Sequence, residues 1–290
     1  MEHVSPPEAC AEDASIVFKA GTVVDGRLYL CTQTEVLVHE LPSFERRAYL
    51  SLPFFNDLHH VCPAGDNSLL VAVTGLDMVA EVTLDGQVVR EWGVLGQDPW
   101  ERFSRSVDYR RVLTTKPHYS HPNFLFSMNG ELWVTRFEQR DAISLTPGGH
   151  RIPIELEKPH DGIVLEDRVY FTTIDGHIVV ADTTTREVRK VFDLNAISKR
   201  DRDLGWCRGL AILDGRRAIV GFTRIRPTRF RENLRWLRHE LGFRETRGDL
   251  STRLVCYDLD ASREDWEIDL EDSGMNCVFS IHPFGDEREG

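Results

Sequence analysis

His60, Asn123, His160 and Arg208 stand at one relative position in four stretches of the chain. Each opens a β-rich run that leads into a turn, at Asp66-Asn67, Asn129-Gly130, Glu166-Asp167 and Asp214-Gly215 respectively. Asn276 holds the same place in a partial copy near the end, and Lys19 holds it with less regular spacing near the start. His59, His118, His121, Asp161 and Cys207 stand close by, and Lys158-Pro159-His160 recurs as Lys116-Pro117-His118, so a short shift puts His118 in the place of Asn123. Two or three neutral imidazoles brought together with an open position suit a divalent transition metal that polarises a carbonyl or activates water. His60 and His160 lead that set, with His121 or His59 completing it. Without metal, the same imidazoles serve as general acid and base near neutral pH.

The candidate catalytic residues are therefore His160, Asp161, Arg208 and Asn123, while Arg208, Trp206, Asn276, His118 and Arg224 are candidates for holding substrate. Guanidinium groups pair well with carboxylate or phosphate, so the expected substrate is a small anion. Asp161 either orients His160, acts as a base or caps a turn. Cys207, within Gly205-Trp206-Cys207-Arg208-Gly209, reads more readily as a buried structural thiol than as a nucleophile.

These residues need elements that bring them together, and the chain supplies a repeat. From Gly162 to Leu194 run GIVLED, RVYFTTI, HIVVAD and EVRKVFDL, four short segments rich in Val, Ile, Tyr and Phe and separated by turn residues such as Asp175-Gly176. The same order of four recurs in NFLFSMNG to RIPIEL, in VCPAGDN to QVVREW, in TVVDG to RAYLSL, and in GLAILDG to DWEIDL. Five copies of a four-strand unit with periods near 40 residues predict an all-β fold, a β-propeller of five blades, with six as the alternative. A sandwich accounts for the strands but not for the recurring order. The partial copy NCVFSIHPFG is expected to close the ring by joining a blade built from the N-terminus.

Residues 1–13 read as a disordered tail and 14–290 as one propeller domain. Two insertions, 96–121 and 224–251, leave the end of the blades at which the innermost strand begins, and so overhang the polar set as a lid. The second predicts a helix with Phe230, Leu234, Leu237 and Leu241 on one face, Trp236 beside it, and a crowd of arginines.

A chain of 290 residues with 41% hydrophobic and 28% charged residues can bury a sizeable core. Its net charge of −12 argues against duplex nucleic acid as the main partner. No apolar run is long enough for a membrane span and the start lacks a signal-peptide pattern, so the expected location is the cytoplasm, with the six cysteines reduced. No Gly-rich phosphate loop, Rossmann fingerprint or GxSxG elbow is present.

The stretch PHDGIVLEDRVYFTTIDGHIVVAD, Pro159 to Asp182, resembles a blade of the streptogramin lyase and gluconolactonase-type propellers. That resemblance implies a divalent cation near the axis and lyase or lactone-hydrolysing chemistry, with His160 as the best matching residue. The chain departs from the pattern in lacking an evident axial glutamate and in carrying two large basic insertions. The first functional expectation is a metal-assisted lyase or hydrolase acting on a small anion. The second is a non-enzymatic propeller that binds a metabolite or a protein partner on the same face.

Overall fold

The chain forms a β-propeller in which each blade is a four-stranded antiparallel sheet taken in sequence order. The computed structural model describes residues 3–12, 14, 16–65, 67–225 and 250–283. Blade I comprises β1 Thr22–Val24, β2 Arg27–Cys31, β3 Val36–Glu40 and β4 Arg46–Leu50; blade II comprises β5 Leu58–Pro63, β6 Ser68–Val73, β7 Met78–Thr83 and β8 Val88–Gly93. Blade III holds β9 Pro122–Met128, β10 Glu131–Arg136, β11 Asp141–Ser144 and β12 Arg151–Pro153; blade IV holds β13 Pro159–Leu165, β14 Arg168–Thr173, β15 His177–Asp182 and β16 Val188–Asp193. Blade V holds β17 Trp206–Ile212, β18 Arg217–Thr223, β19 Arg253–Asp258 and β20 Arg263–Asp269. The described residues therefore give five blades, not six.

The turn chemistry sets the register. Val24 pairs with Arg27 and Met128 with Glu131, leaving the two-residue loops Asp25-Gly26 and Asn129-Gly130, whose residues all have positive φ. Two-residue hairpins favour that backbone because its twist matches the strands, and Asp, Asn and Gly tolerate it best.

The middle strands are buried on both faces, as in β6 and β15, whereas the outermost strands β8, β16 and β20 are largely exposed. The apolar clusters accordingly lie between neighbouring blades. One joins blades I and II through Val38, Leu58 and Val71, and another joins IV and V through Tyr170, Val220 and Tyr257. The inner strands β5, β9, β13 and β17 touch in succession around the axis.

Ring closure differs from the expectation. Blade I is made wholly of residues 22–50, and the C-terminal segment wedges between blades V and I without joining a ladder. It is held by side-chain hydroxyls instead: Val278 N–H donates to Thr223 Oγ1 (3.0 Å) and Gly21 N–H to Ser280 Oγ (3.3 Å). Gly221 makes room for it. A Cβ there would lie 2.4 Å from Val278 Cγ1 and 2.7 Å from the Arg208 carbonyl oxygen. Gly221→Ala is expected to displace the closing segment and lower stability by about 2 kcal/mol, read as a shifted urea midpoint at unchanged slope.

Residues 3–12, expected to be a disordered tail, are seated against the body. His3 and Ser5 bond the buried Glu35, and Arg111 donates to the carbonyl of Cys10 (3.1 Å). Insertion 96–121 is anchored by Asn56, whose Nδ2 donates to the carbonyls of Tyr109 and Val112, each at 2.8 Å. The helix expected at 230–241 lies outside the described residues. No described helix is long and apolar enough to cross a membrane.

Candidate functional site

The chain enters its inner strands at one mouth of the propeller, and the polar residues collect there. Asp57 precedes β5 in the left-handed backbone region (φ 45°), which an aspartate tolerates better than most residues. Its carboxylate lies 3.6 Å from Lys19 Nζ, 3.7 Å from His59 Nδ1 and 3.9 Å from His118 Nε2. His118 and His121 share a hydrogen bond, Nδ1 to Nδ1 at 3.0 Å, and His59 meets His121 edge to face at 4.6 Å between ring centres. Phe137 packs on His121 (4.8 Å) and offers its edge to His160 (6.1 Å). Across the mouth, Arg208 stacks on Phe279 with its guanidinium carbon 3.8 Å from the ring centre, and Lys19 lies 4.9 Å from the same ring.

Burial governs the protonation states. It pushes the Asp57 carboxyl up, but His59, Lys19, His118 and Lys116 together hold it below the usual carboxylate range, so it is ionised. Burial drives His59 down to about 3 despite Asp57. It also takes His121 well below its ordinary value, helped by His59 and His118, and His160 likewise, helped by Arg208, His59 and Lys19. Desolvation lowers Arg208 to about 10 and lowers Lys19 as well. The mouth thus presents neutral imidazoles among cationic groups and one carboxylate.

Hydrogen bonds fix which imidazole nitrogens remain. Thr115 Oγ1 donates to the Gly75 carbonyl (2.5 Å), so it accepts from His118 Nε2 (3.3 Å), and His118 Nδ1 must then accept from His121. His59 Nδ1 donates to the Asp57 carbonyl (2.8 Å). Nε2 is the acceptor nitrogen of both His59 and His121. Among the described residues no group of three or more His, Cys, Asp or Glu side chains is arranged so that it could hold a metal ion.

The sequence-derived candidates divide. His59, His118, His121, His160 and Arg208 come to the mouth, and Asn123 lies beside them, its Nδ2 donating to the Pro159 carbonyl (2.9 Å). His60 does not join them. Its Nδ1 accepts from Leu125 N–H (3.1 Å), its Nε2 donates to the Gly21 carbonyl (3.2 Å), and its ring stacks on Phe124 at 4.0 Å. Both nitrogens are committed to backbone, so His60 braces blades I, II and III.

Asp161 also turns away. It sits in a bulge of β13 with φ 61°, and its carboxylate accepts from Thr172 Oγ1 and from Gly209 N–H (3.1 Å), tying blade IV to blade V. Arg224 pairs with Glu271 at 2.6 Å, and Asn276 is exposed at 3.4 Å from the Gly274 carbonyl. Trp206 begins β17 and is partly buried. Cys207 is buried in the apolar cluster between blades IV and V, and burial raises its thiol well above the ordinary value, as a structural residue requires.

Asp57 escaped the sequence alignment because it lies ahead of the matched position, in Asn56-Asp57-Leu58-His59-His60. Asp77 escaped for another reason: its partners come from insertion 96–121. Oδ1 accepts from the N–H groups of Ser120 and His121, both at 2.9 Å, and Oδ2 from Tyr119 N–H (2.7 Å) and Arg102 (2.8 Å). One carboxylate thereby fixes the loop that carries His118 and His121.

Comparison with solved structures finds a protein of unknown function from Bacteroides caccae, with a TM-score of 0.58 and 12% identity over 91% of this chain and 85% of that one. The likeness is one of fold. A streptogramin B lyase matches with a TM-score of 0.49 and 11% identity, covering 71% of this chain and 64% of that one. A virginiamycin B lyase from Staphylococcus aureus gives 0.47 and 12%, over 71% and 66%. No protein-family model matches the chain, and no curated protein matches it significantly.

Proposed function

We propose that the propeller mouth binds a small anionic molecule. The observation that carries this reading is the placing of two desolvated, partly buried cations, Lys19 and Arg208, against the same Phe279 ring, with the Asp57 carboxylate beside Lys19. A cation stripped of water gains most from an anion that replaces the lost solvation. Arg208 supplies a planar donor set suited to a carboxylate or phosphate, and Lys19 a point charge.

The enzymatic reading attaches to the same site. His160 and the pair His118–His121 are held neutral by burial and neighbouring cations, and a bound anion removes part of that penalty. An imidazole raised toward neutrality in this way becomes a general acid or base for a lyase or hydrolase reaction.

Two measurements test the proposal. In calorimetric titrations with small carboxylates and with inorganic phosphate, Arg208→Ala and Lys19→Met are each expected to weaken binding about 10- to 100-fold. If the double variant binds as well as the parent, the proposal fails. Binding is also expected to tighten as pH falls from 8 to 5. The free site holds its histidines neutral, the bound anion raises their pKa, and complex formation therefore takes up protons; an affinity that does not change with pH removes the histidines from the site. In the same preparation, stoichiometric metal that is lost in His118→Ala and His121→Ala would restore metal-assisted chemistry.

A further inference from the structure

Three polar atoms near the starts of consecutive inner strands are buried without a hydrogen-bond partner among the described residues: Asn123 Oδ1 on β9, His160 Nδ1 on β13 and Arg208 Nε on β17. Asn123 is 0% exposed and His160 4%. Buried polar groups are nearly always paired, so three orphans in adjacent blades describe the partner they are shaped for. Their chemistry is specific. Arg208 Nε–H can only donate and therefore calls for an acceptor. The Asn123 amide cannot be flipped, because its Nδ2 already donates to the Pro159 carbonyl, so Oδ1 can only accept and calls for a donor. His160 Nδ1 takes either role.

We infer that the ligand of the mouth is a small hydroxy-carboxylate, an anion that bears a hydroxyl next to its charged group. This rests on the anion-binding reading above and goes beyond it by fixing the second functional group. The carboxylate accepts from Arg208 Nε–H, the hydroxyl donates to Asn123 Oδ1, and its oxygen accepts from His160 Nδ1–H. All three orphans are then satisfied by one molecule. A plain carboxylate leaves the Asn123 oxygen unpaired. An amino-carboxylate supplies a donor, but it brings an ammonium group beside Lys19, Lys116 and Arg208, cations that already act on this site. Phe279 under Arg208 and Phe137 beside His160 give the mouth apolar sides that suit a short carbon skeleton.

The experiment compares matched probes on the full chain: lactate against propionate and alanine, and malate against succinate and aspartate, each set differing by one substituent. The hydroxylated member is expected to bind tighter by tenfold or more, since a site built to bond a hydroxyl leaves buried groups unpaired when it is missing. In Asn123→Leu the hydroxyl preference is expected to collapse to less than threefold while succinate affinity is kept. If hydroxylated and plain acids bind equally to the parent protein, this inference is wrong while the anion site stands. If none of the probes binds, both are wrong. The parent comparison does not depend on the variant folding. Retention of the full preference in a folded Asn123→Leu protein also overturns the assignment.

Discussion

Asp77→Ala is expected to cost about 4 kcal/mol of stability and to release the loop that carries His118 and His121. The Asp77 carboxylate accepts three consecutive backbone N–H groups, from Tyr119, Ser120 and His121, and also the Arg102 guanidinium. Asp77 is 5% exposed and Ser120 0%, so water cannot replace those bonds in full. Hydrogen bonds to a charged group contribute about 1.5–3 kcal/mol each, and the partly exposed Arg102 adds less than a buried pair would. Asp77 also has φ 50°, a conformation that alanine adopts less readily than aspartate or asparagine. Asp77→Asn is therefore expected to recover a part of the loss. Urea unfolding gives the stability, and the imidazole proton resonances of His118 and His121 report whether their hydrogen bond survives. A variant within 1 kcal/mol of the parent, with unchanged imidazole signals, would show that the loop is held by other contacts.

Asp161→Asn is expected to stabilise the protein above pH 6 by up to about 3 kcal/mol, with the gain vanishing near pH 4. Burial raises the Asp161 carboxyl from 3.8 to about 6, although Thr172 and Gly209 bond it. Between those values the folded protein keeps a proton that the unfolded chain has lost, so this group's contribution falls as pH rises from about 4 to 6 and stays low above. Two units correspond to about 3 kcal/mol. An asparagine carries no charge, and its amide oxygen can still accept from the Thr172 hydroxyl and the Gly209 N–H. The buried histidines His59 and His60 have the opposite dependence, because their depressed values remove stability as pH falls through the unfolded value near 6.5. The difference between parent and variant isolates Asp161. A difference that is flat from pH 4 to 8 would mean that Asp161 is ionised throughout.

Much of the site was legible in the sequence because the repeat gave an address to each inner strand. His160 and Asn123 were matched across copies and lie near the starts of β13 and β9, whereas Arg208 lies in the bulge of β17, at the place that Asp161 takes in β13. The match failed where local backbone departs from the repeat. Asp161 was expected beside His160, but the bulge and the positive φ direct its carboxylate to Gly209 of the next blade. His60 was expected to bind metal, but a backbone N–H from β9 and a carbonyl from the N-terminal segment claim both its nitrogens.

Composition, turn residues and the recurring order of four strands were enough by themselves to point to a β-propeller of four-stranded blades, with five blades favoured over six. Those are properties of local pattern, in which alternation and turn chemistry act over a few residues. Only the tertiary structure decided which polar groups face one another, that Asp57 and Asp77 organise the histidines, and that Phe279 comes back to lie under Arg208. Such pairings are made between blades, by residues tens to hundreds of positions apart. Their geometry depends on how the sheets pack and on where a single bulge turns a side chain.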